Sequence, residues 1–173
     1  MSKTSIPSTV LKELQRQINH ELSAAFAYQA MSIWCMAANL KGFAAFFAKQ
    51  ANEEREHAGK IISHLLDRGT KPDLEAMPKP KQAFESLIEI ARQAQTMEQA
   101  NTRGIHAVFE AAFAAKDYPS QVLMHWFIKE QVEEEAWCVE MIDRVENASC
   151  AGSLSDLDRH IVKLLAGGGE DEE

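Results

Sequence analysis

Glycine and proline are scarce in this chain, at 8 and 5 of 173 residues, and apolar residues never form a long run. Both residue types interrupt helices, so their scarcity favours long helices. A membrane-spanning helix needs ~20 apolar residues in succession, and the start of the chain, MSKTSIPSTV, lacks the apolar core of a secretory signal. We therefore predict a cytoplasmic protein with no membrane span. A removed organelle transit peptide would leave no trace.

Cysteine is also rare, and the three present, Cys35, Cys138 and Cys150, show no CxxC spacing. An odd number without such spacing argues against a disulfide framework and against a thiolate metal site, and free thiols suit a reducing compartment. The chain has fewer basic than acidic residues, with 18 Lys and Arg and 26 Asp and Glu. An acidic chain repels nucleic acid and anionic membranes, so neither is an expected partner, whereas cations are attracted.

Helical periodicity predicts four long helices, at about residues 8–39, 43–68, 84–116 and 119–147. A turn at 149–153 and a short fifth helix at about 155–166 follow. The Gly-rich, acidic tail 167–173 is predicted to be disordered. We expect one domain in which the bundle occupies about residues 8–147, because four helices of similar length favour a bundle over globin-like packing.

The segment between the second and third predicted helices, residues 69–81, holds three prolines and no periodicity. It is longer than the ~2–8 residues that usually connect helices in a bundle. A loop of this length can run along the whole bundle and start a helix parallel to the previous one. The sequence therefore predicts an all-α four-helix bundle with one long crossover.

Glutamates stand within the apolar stripe of every predicted long helix: Glu21, Glu54, Glu98, and the pair Glu130 and Glu134. A charged glutamate is rarely buried unless it is paired or binds a metal. For any one of these residues alone, a solvated or salt-bridged carboxylate is the commoner explanation. One at a similar depth in each helix is much harder to explain without a cation.

The second helix adds a histidine to this set. Glu54 and His57 are three residues apart, so both side chains lie on one helix face and can bind the same ion. Gln131 and Glu134 repeat this spacing in the fourth helix. Carboxylate and imidazole are ligands that iron accepts, and a glutamate from each of two helices with an ExxH from each of the others is a known di-iron arrangement.

Other residues near these predicted ligands can be interpreted either as functional or as purely structural. Glu53 and Glu133 adjoin the predicted ligands and can extend the site with Glu130 and Glu134, although each alone more commonly faces solvent. Tyr28 lies two turns after Glu21 and can hydrogen-bond a ligand or donate an electron, although a core tyrosine is the more common explanation. Trp126 is interpreted as core packing first and an electron donor second.

These motifs resemble the non-haem ferritins over about residues 8–166. The resemblance rests on Glu21 with Tyr28, NEEREH (52–57), MEQANTR (97–103), DYP (117–119) and KEQVEEE (129–135), in order and at family spacing. It implies a ferroxidase that oxidises Fe(II) with O2 or H2O2. It also implies storage of the iron as ferric oxyhydroxide in a hollow 24-subunit homo-oligomeric cage, with the fifth helix at the four-fold axes.

The resemblance also implies site residues. The di-iron ligands would be Glu21, Glu54 and His57 for the first iron, with Glu54 bridging to the second, and Glu98 and Glu134 for the second, with Gln131 nearby. A third iron site, as in bacterial-type ferritins, would comprise Glu53, Glu130, Glu133 and Glu134. Tyr28 matches the tyrosine beside the centre.

Some positions depart from related families. Gln121 and Met124 stand where animal ferritins carry the acidic residues of a three-fold channel, so that iron route is not expected. The second helix has no methionine to bind haem, and Glu134 replaces the second histidine of bacterioferritin, so no haem is expected. Three alternatives stay open: a non-catalytic cage subunit, a metal-free helical bundle, and a di-iron enzyme with an organic substrate.

Overall fold

A computed structural model describes residues 5–148 and 150–165, and these form five helices and no strand. The helices are α1 (Ser8–Ala37), α2 (Lys41–Asp67), α3 (Leu87–Ala114), α4 (Tyr118–Asn147) and α5 (Ala151–Leu165). The predicted fold, four long helices and a short C-terminal one, is confirmed. The predicted tail 167–173 lies outside the described residues. No helix in the described ranges is long and apolar enough to cross a membrane.

Helix boundaries follow local chemistry. Gly69, which follows the C-cap residue Arg68 of α2, adopts φ 74°, the left-handed conformation that glycine allows at a helix end. The predicted start of α3 at Phe84 is wrong, because Ser86 caps the helix by accepting a hydrogen bond from the backbone NH of Glu89. The carboxylate of Glu89 in turn accepts one from the backbone NH of Glu85 at 2.6 Å. These two hydrogen bonds fix the start of the helix at Leu87.

The fifth helix also starts earlier than predicted, at Ala151 instead of Ser155. Gly152 and Ser153 resemble a turn in sequence, but both are helical. The hydroxyl of Ser153 accepts a hydrogen bond from the backbone NH of Cys150 at 3.1 Å, which supplies a partner at the first turn. Leu154, Leu157 and Ile161 then pack against the core, so burial of this apolar face favours the longer helix.

The long loop between α2 and α3 runs along α1. Gln15 accepts a hydrogen bond from the backbone NH of Asp73 at 3.0 Å, and Asn19 accepts one from that of Glu75 at 2.9 Å. Farther along the same helix, the indole of Trp34 donates to the carbonyl of Phe84 at 3.1 Å. The loop therefore passes from near the start of α1 to near its end, which confirms the crossover.

The core consists of two apolar clusters with a polar layer between them. One cluster includes Leu14, Ile18, Ile61, Leu65 and Phe127. The other includes Tyr28, Phe43, Phe47, Ile90 and Met141. The residues between them along each helix include Glu21 on α1, Glu54 on α2, Glu98 on α3 and Glu134 on α4. Packing on both sides holds these four helices around the polar layer.

Candidate metal centre

Six predicted ligands are buried together in the polar layer. Each has at most 5 % of its surface exposed: Glu21, Glu54, His57, Glu98, Gln131 and Glu134. Buried carboxylates are stable only with a cation or with hydrogen-bond donors. Within the described residues, no lysine or arginine forms an ion pair with any of these four carboxylates. The layer therefore lacks the positive charge that would balance its carboxylates, and a metal cation would supply it.

One candidate group of ligands joins α1 and α2. One ligand atom from each of Glu21, Glu54 and His57 lies within 4.8 Å of the other two. Nδ1 of His57 is 3.5 Å from Oε2 of Glu54, too far for a good hydrogen bond. Both atoms are buried without a hydrogen-bond partner. A buried polar atom without a partner is costly, and a metal ion between these groups would satisfy both atoms.

A second group shares the same histidine. Ligand atoms of His57, Glu130 and Glu134 also lie within 4.8 Å of one another. The sequence predicted Glu130 and Glu134 beside the di-iron ligands but did not predict that His57 lies within 4.8 Å of both sets of ligand atoms. Glu130 is half-buried, so this group extends the centre toward the surface of the bundle.

Glu53 and Glu133 belong to neither of these groups. Glu53 accepts a hydrogen bond from Gln50 at 2.6 Å and pairs with Lys49 at 3.2 Å. Glu133 is exposed on α4. The charge on Glu53 still acts on the centre, since it helps to raise the pKa of Glu134. Their part in a third site stays a prediction.

Glu98 contacts both the predicted tyrosine and the predicted amide. The hydroxyl of Tyr28 donates to Oε1 of Glu98. The amide of Gln131 donates to Oε2 of Glu98 at 3.3 Å and to the hydroxyl of Thr102 at 3.1 Å. Tyr28 is fully buried, so its hydroxyl depends on this carboxylate for a partner. The tyrosine thus touches the centre directly.

The electrostatics of the layer favour metal binding. Burial raises the pKa of Glu54 well above its usual range, and the charges of Glu21 and Glu98 raise it further. Burial and the charge of Glu98 do the same to the pKa of Glu134. Either a proton or a metal cation relieves the repulsion between these carboxylates. The buried, unpartnered Nδ1 of His57 and Oε2 of Glu54 favour the metal, because a metal ion would give both atoms a partner.

Three neighbouring residues escaped sequence reasoning. The indole Nε1 of Trp137 donates to Oε2 of Glu134 at 2.5 Å. Gln17 donates to Oε1 of Glu21 at 2.9 Å, and Asn101 donates to Oε2 of Glu21 at 3.1 Å. Gln17 precedes Glu21 by four residues, while Asn101 follows Glu98 and Trp137 follows Glu134 by three. Helical spacing from each predicted ligand is therefore the signal that could have identified them.

Trp126 lies beside the centre and is partly exposed. Its ring meets the imidazole of His57 edge-on, with the ring centroids 5.4 Å apart. The ammonium of Lys60 sits 4.3 Å from the centroid of the Trp126 indole. This residue covers the histidine from the outside, so the prediction that it is core packing is only partly right.

The two positions compared with an acidic channel have interior contacts. Met124 is completely buried in the apolar cluster around Leu14 and Phe127. The amide of Gln121 donates to the carbonyl of Ala112 at 3.1 Å. Met124 has no exposed surface in the described chain, and the expectation that the iron route differs from that of animal ferritins stays a prediction.

Comparisons with known proteins identify the family of this chain. The ferritin-like domain family matches residues 11–148. The bacterial non-heme ferritin of Staphylococcus haemolyticus is 41% identical over 127 residues, which cover 73% of this chain and 76% of that protein. That of Staphylococcus aureus strain MRSA252 is 40% identical over 131 residues, covering 76% and 79%.

Solved structures show the same fold. An open pore ferritin from Archaeoglobus fulgidus superposes with a TM-score of 0.87 at 29% identity, covering 91% of this chain and 98% of that one. A closed form engineered from the same ferritin gives 0.88 at 30% identity, covering 91% and 96%. The fold, the matched domain and the identity to curated relatives together place this chain in the ferritin family.

Proposed function

We propose that this chain is an iron-storage subunit that oxidises Fe(II) at a di-iron centre within its own bundle. Family membership and fold support iron storage. The observation that carries the proposed oxidation is the pair of unpartnered buried atoms, Nδ1 of His57 and Oε2 of Glu54, in a layer without a basic counter-charge. Iron is the substrate here, because it arrives as Fe(II) and leaves as Fe(III).

The proposed ligands divide into two sets. Glu21, Glu54 and His57 bind the first iron, as their mutual distances allow. Glu54 bridges to the second iron, which Glu98 and Glu134 complete. Gln131 is neutral and already donates to Glu98, so it orients that carboxylate and leaves coordination positions open for the oxidant.

The redox step balances without a further reductant. Two Fe(II) each lose one electron, and O2 takes up both electrons and two protons to give H2O2. When H2O2 is the oxidant, two electrons and two protons convert it into two water molecules. The carboxylates stabilise the higher charge of Fe(III) more than that of Fe(II), which favours the oxidation. The ferric iron then moves to an oxyhydroxide mineral.

A third cation site is proposed beside the pair. It uses Glu53, Glu130, Glu133 and Glu134, and the proximity of His57 to Glu130 and Glu134 supports a cation there. Glu130 is half-buried and Glu133 exposed, so this site connects the buried layer to the surface. A Glu130→Ala variant that loses one zinc ion per subunit while keeping two would support the assignment.

The proposed assembly is a hollow 24-subunit homo-oligomer without haem. Several large apolar side chains are more than 60 % exposed on the isolated chain: Ile33, Leu74, Phe113, Tyr118, Val122 and Val132. These side chains are available to pack against other subunits, which supports an assembly. Light scattering or electron microscopy of the purified protein tests the cage. A single domain and a cytoplasmic location stay predictions.

Stopped-flow absorbance of aerobic Fe(II) oxidation tests the catalytic centre. We expect Glu54→Ala and His57→Ala to lose the fast phase while light scattering shows an intact cage. Glu56→Ala is the matched control, because Glu56 is exposed on the same helix between the two ligands. Unchanged fast kinetics in the two ligand variants would remove the catalytic assignment.

Oxidation kinetics, metal binding and mineral formation, measured together, separate the alternatives. A cage subunit that only nucleates mineral would lack the fast phase in the unmodified protein but still accumulate iron. A metal-free bundle would bind no zinc and no iron. An enzyme with an organic substrate would bind two irons but release them without forming mineral.

A further inference from the structure

We propose that Gln17 and Asn101 act as positioning residues that hold Glu21 in the orientation in which it binds the first iron. The inference rests on the proposed di-iron function and extends it to residues that bind no iron themselves. The two amides come from different helices, α1 and α3, and meet at the carboxylate of Glu21. We refer to this pair as the amide clamp.

The clamp occupies both oxygens of Glu21. Nε2 of Gln17 donates to Oε1 at 2.9 Å, and Nδ2 of Asn101 donates to Oε2 at 3.1 Å. A carboxylate held at both oxygens cannot rotate freely about its terminal bond. Each oxygen keeps a free lone pair, so Glu21 can accept these hydrogen bonds and bind a metal ion at the same time.

Both amides are far from solvent, since Gln17 and Asn101 are each 1 % exposed. A buried amide must satisfy its donors and acceptor within the protein. Nε2 of Gln17 also donates to Oδ1 of Asn101, and Nδ2 of Asn101 points to Oε1 of Gln131 at 3.5 Å. The clamp therefore extends to Gln131, which donates to the other ligand Glu98.

Neutral donors suit this position for an electrostatic reason. A lysine or arginine here would neutralise Glu21 and compete with the iron for its negative charge. An amide stabilises the ionised carboxylate by hydrogen bonding and adds no positive charge. The layer thus keeps the net negative charge that attracts Fe(II). The two amides set the orientation of Glu21 before the metal arrives.

Gly104 makes room for the clamp. It lies within α3, where glycine costs roughly 1 kcal/mol of helix stability relative to alanine. A Cβ at this position would lie 2.2 Å from Oε1 of Gln17 and 3.2 Å from its Cδ. An alanine would therefore push the Gln17 amide away from Glu21, so this glycine serves the position of a neighbouring side chain.

Zinc binding to the assembled, metal-free protein tests the clamp. Zn²⁺ accepts the same ligands without redox chemistry, and calorimetry measures its affinity. We expect Gln17→Met and Asn101→Leu, which keep the side-chain size but remove the donors, each to weaken the tightest zinc site by roughly 10–100-fold. Asn52→Leu is the control, because Asn52 is exposed on α2 and its side chain contacts Arg55.

A purely structural role would give a different result. It would lower the melting temperature of the metal-free variants and leave the zinc affinity within about twofold of the unmodified protein, and that result would overturn the proposal. A Glu21→Ala background sharpens the test. There, Asn101→Leu should cause no further loss of zinc affinity. An equal loss with and without Glu21 would show that Asn101 does not act through this carboxylate.

Gly104 provides an independent variant. Gly104→Ala should weaken zinc binding in the unmodified chain but not in a Gln17→Ala background, where the shortened side chain leaves room for the methyl group. Equal losses in both backgrounds would contradict the clamp.

Failure of the proposed oxidation would give a different result: a protein that binds zinc tightly but shows no fast Fe(II) oxidation. If Glu54→Ala removes no zinc site at all, both proposals fall.

Discussion

The indole Nε1 of Trp137 donates a hydrogen bond of 2.5 Å to Oε2 of Glu134, a proposed ligand of the second iron. The same indole packs edge-on against Phe46, with the ring centroids 4.9 Å apart. Trp137 is almost fully buried, so its orientation is fixed by packing. A rigid donor therefore orients a carboxylate whose pKa is raised by the charges of neighbouring glutamates.

Trp137→Phe tests this relationship, because phenylalanine keeps an aromatic ring against Phe46 but has no N–H group. We expect the rate of fast Fe(II) oxidation to fall by roughly 10-fold, with less change in the affinity of the first metal site. Stopped-flow kinetics and zinc titration measure the two effects. Trp34→Phe is the control, since Trp34 donates to the backbone carbonyl of Phe84, away from the centre. Equal effects of the two variants would contradict the role of Trp137.

Sequence reasoning identified the buried glutamates of the candidate centre because their charge contrasts with the apolar residues around them. Glu21, Glu54 and Glu98 interrupt apolar stripes, and the spacing of Glu54 and His57 is a local property of one helix. The sharing of His57 between two ligand groups depends on how α2 and α4 are rotated about their axes. That rotation is set by side-chain packing and cannot be read from a single sequence.

Neutral polar residues were harder to recognise. Gln17 and Asn101 carry no charge, so their place in the core stripe resembles ordinary helix-surface composition until the structure shows them buried. The predicted start of α5 was wrong for a related reason. Gly152 and Ser153 favour a turn locally, and only the packing of Leu157 and Ile161 on the core reveals the longer helix.

Two glycines of α2 give opposite predictions for the same substitution. A Cβ on Gly42 would lie 1.6 Å from the backbone carbonyl oxygen of Asp158 in α5. The side chain of Asp158 also accepts a hydrogen bond from the backbone NH of Phe43 at 3.0 Å, so α5 is held at the start of α2. Gly42→Ala should displace α5 from α2.

Hydrogen exchange measures this displacement. We expect amides in 151–165 to exchange faster in Gly42→Ala, because the helix loses its contact with the bundle. Gly59→Ala is the matched control, since no atom lies within 4 Å of a Cβ there. It should raise stability by roughly 0.5–1 kcal/mol through helix propensity. Unchanged exchange of α5 in Gly42→Ala would show that the close contact can relax.

Arg68 and Asp117 form a buried ion pair between the end of α2 and the start of α4. Nη1 of Arg68 is 2.7 Å from Oδ2 of Asp117, and their side chains are 12% and 4% exposed. Ser120 also donates to this carboxylate at 2.7 Å. Arg68→Met leaves a buried carboxylate without its cation, so we expect the free energy of unfolding to fall by about 3–5 kcal/mol.

Chemical denaturation of the metal-free protein measures this loss. Arg92→Met is the control, because its pair with Glu146 has side chains 64% and 48% exposed. An exposed pair contributes about 0–1 kcal/mol, so the control should change little. Adding Asp117→Asn to Arg68→Met should recover part of the loss by removing the unpaired charge. Similar losses in the free energy of unfolding for Arg68→Met and Arg92→Met would show that the buried ion pair contributes no more to stability than the exposed one.

The stability of the metal-free protein should depend on pH through Glu54. Burial, with the charges of Glu21 and Glu98, raises the pKa of Glu54 above that in the unfolded chain. In the pH range between those two pKa values the folded state binds the extra proton. Unfolding therefore becomes easier as pH rises from ~4.3, by up to roughly 1.4 kcal/mol per pH unit for one proton.

Glu54→Gln removes this titration and keeps the shape of the side chain. The difference in melting temperature between Glu54→Gln and the unmodified protein, both with chelator, should therefore widen in favour of the variant from pH 5 to pH 7. Zinc at pH 7 should reverse the order, because only the unmodified centre keeps the charged Glu54 that binds the metal and gains stability from it. Differential scanning calorimetry measures both effects, with Glu56→Gln as the exposed control. A difference that stays constant with pH would mean that Glu54 is not the group that gains the proton on folding.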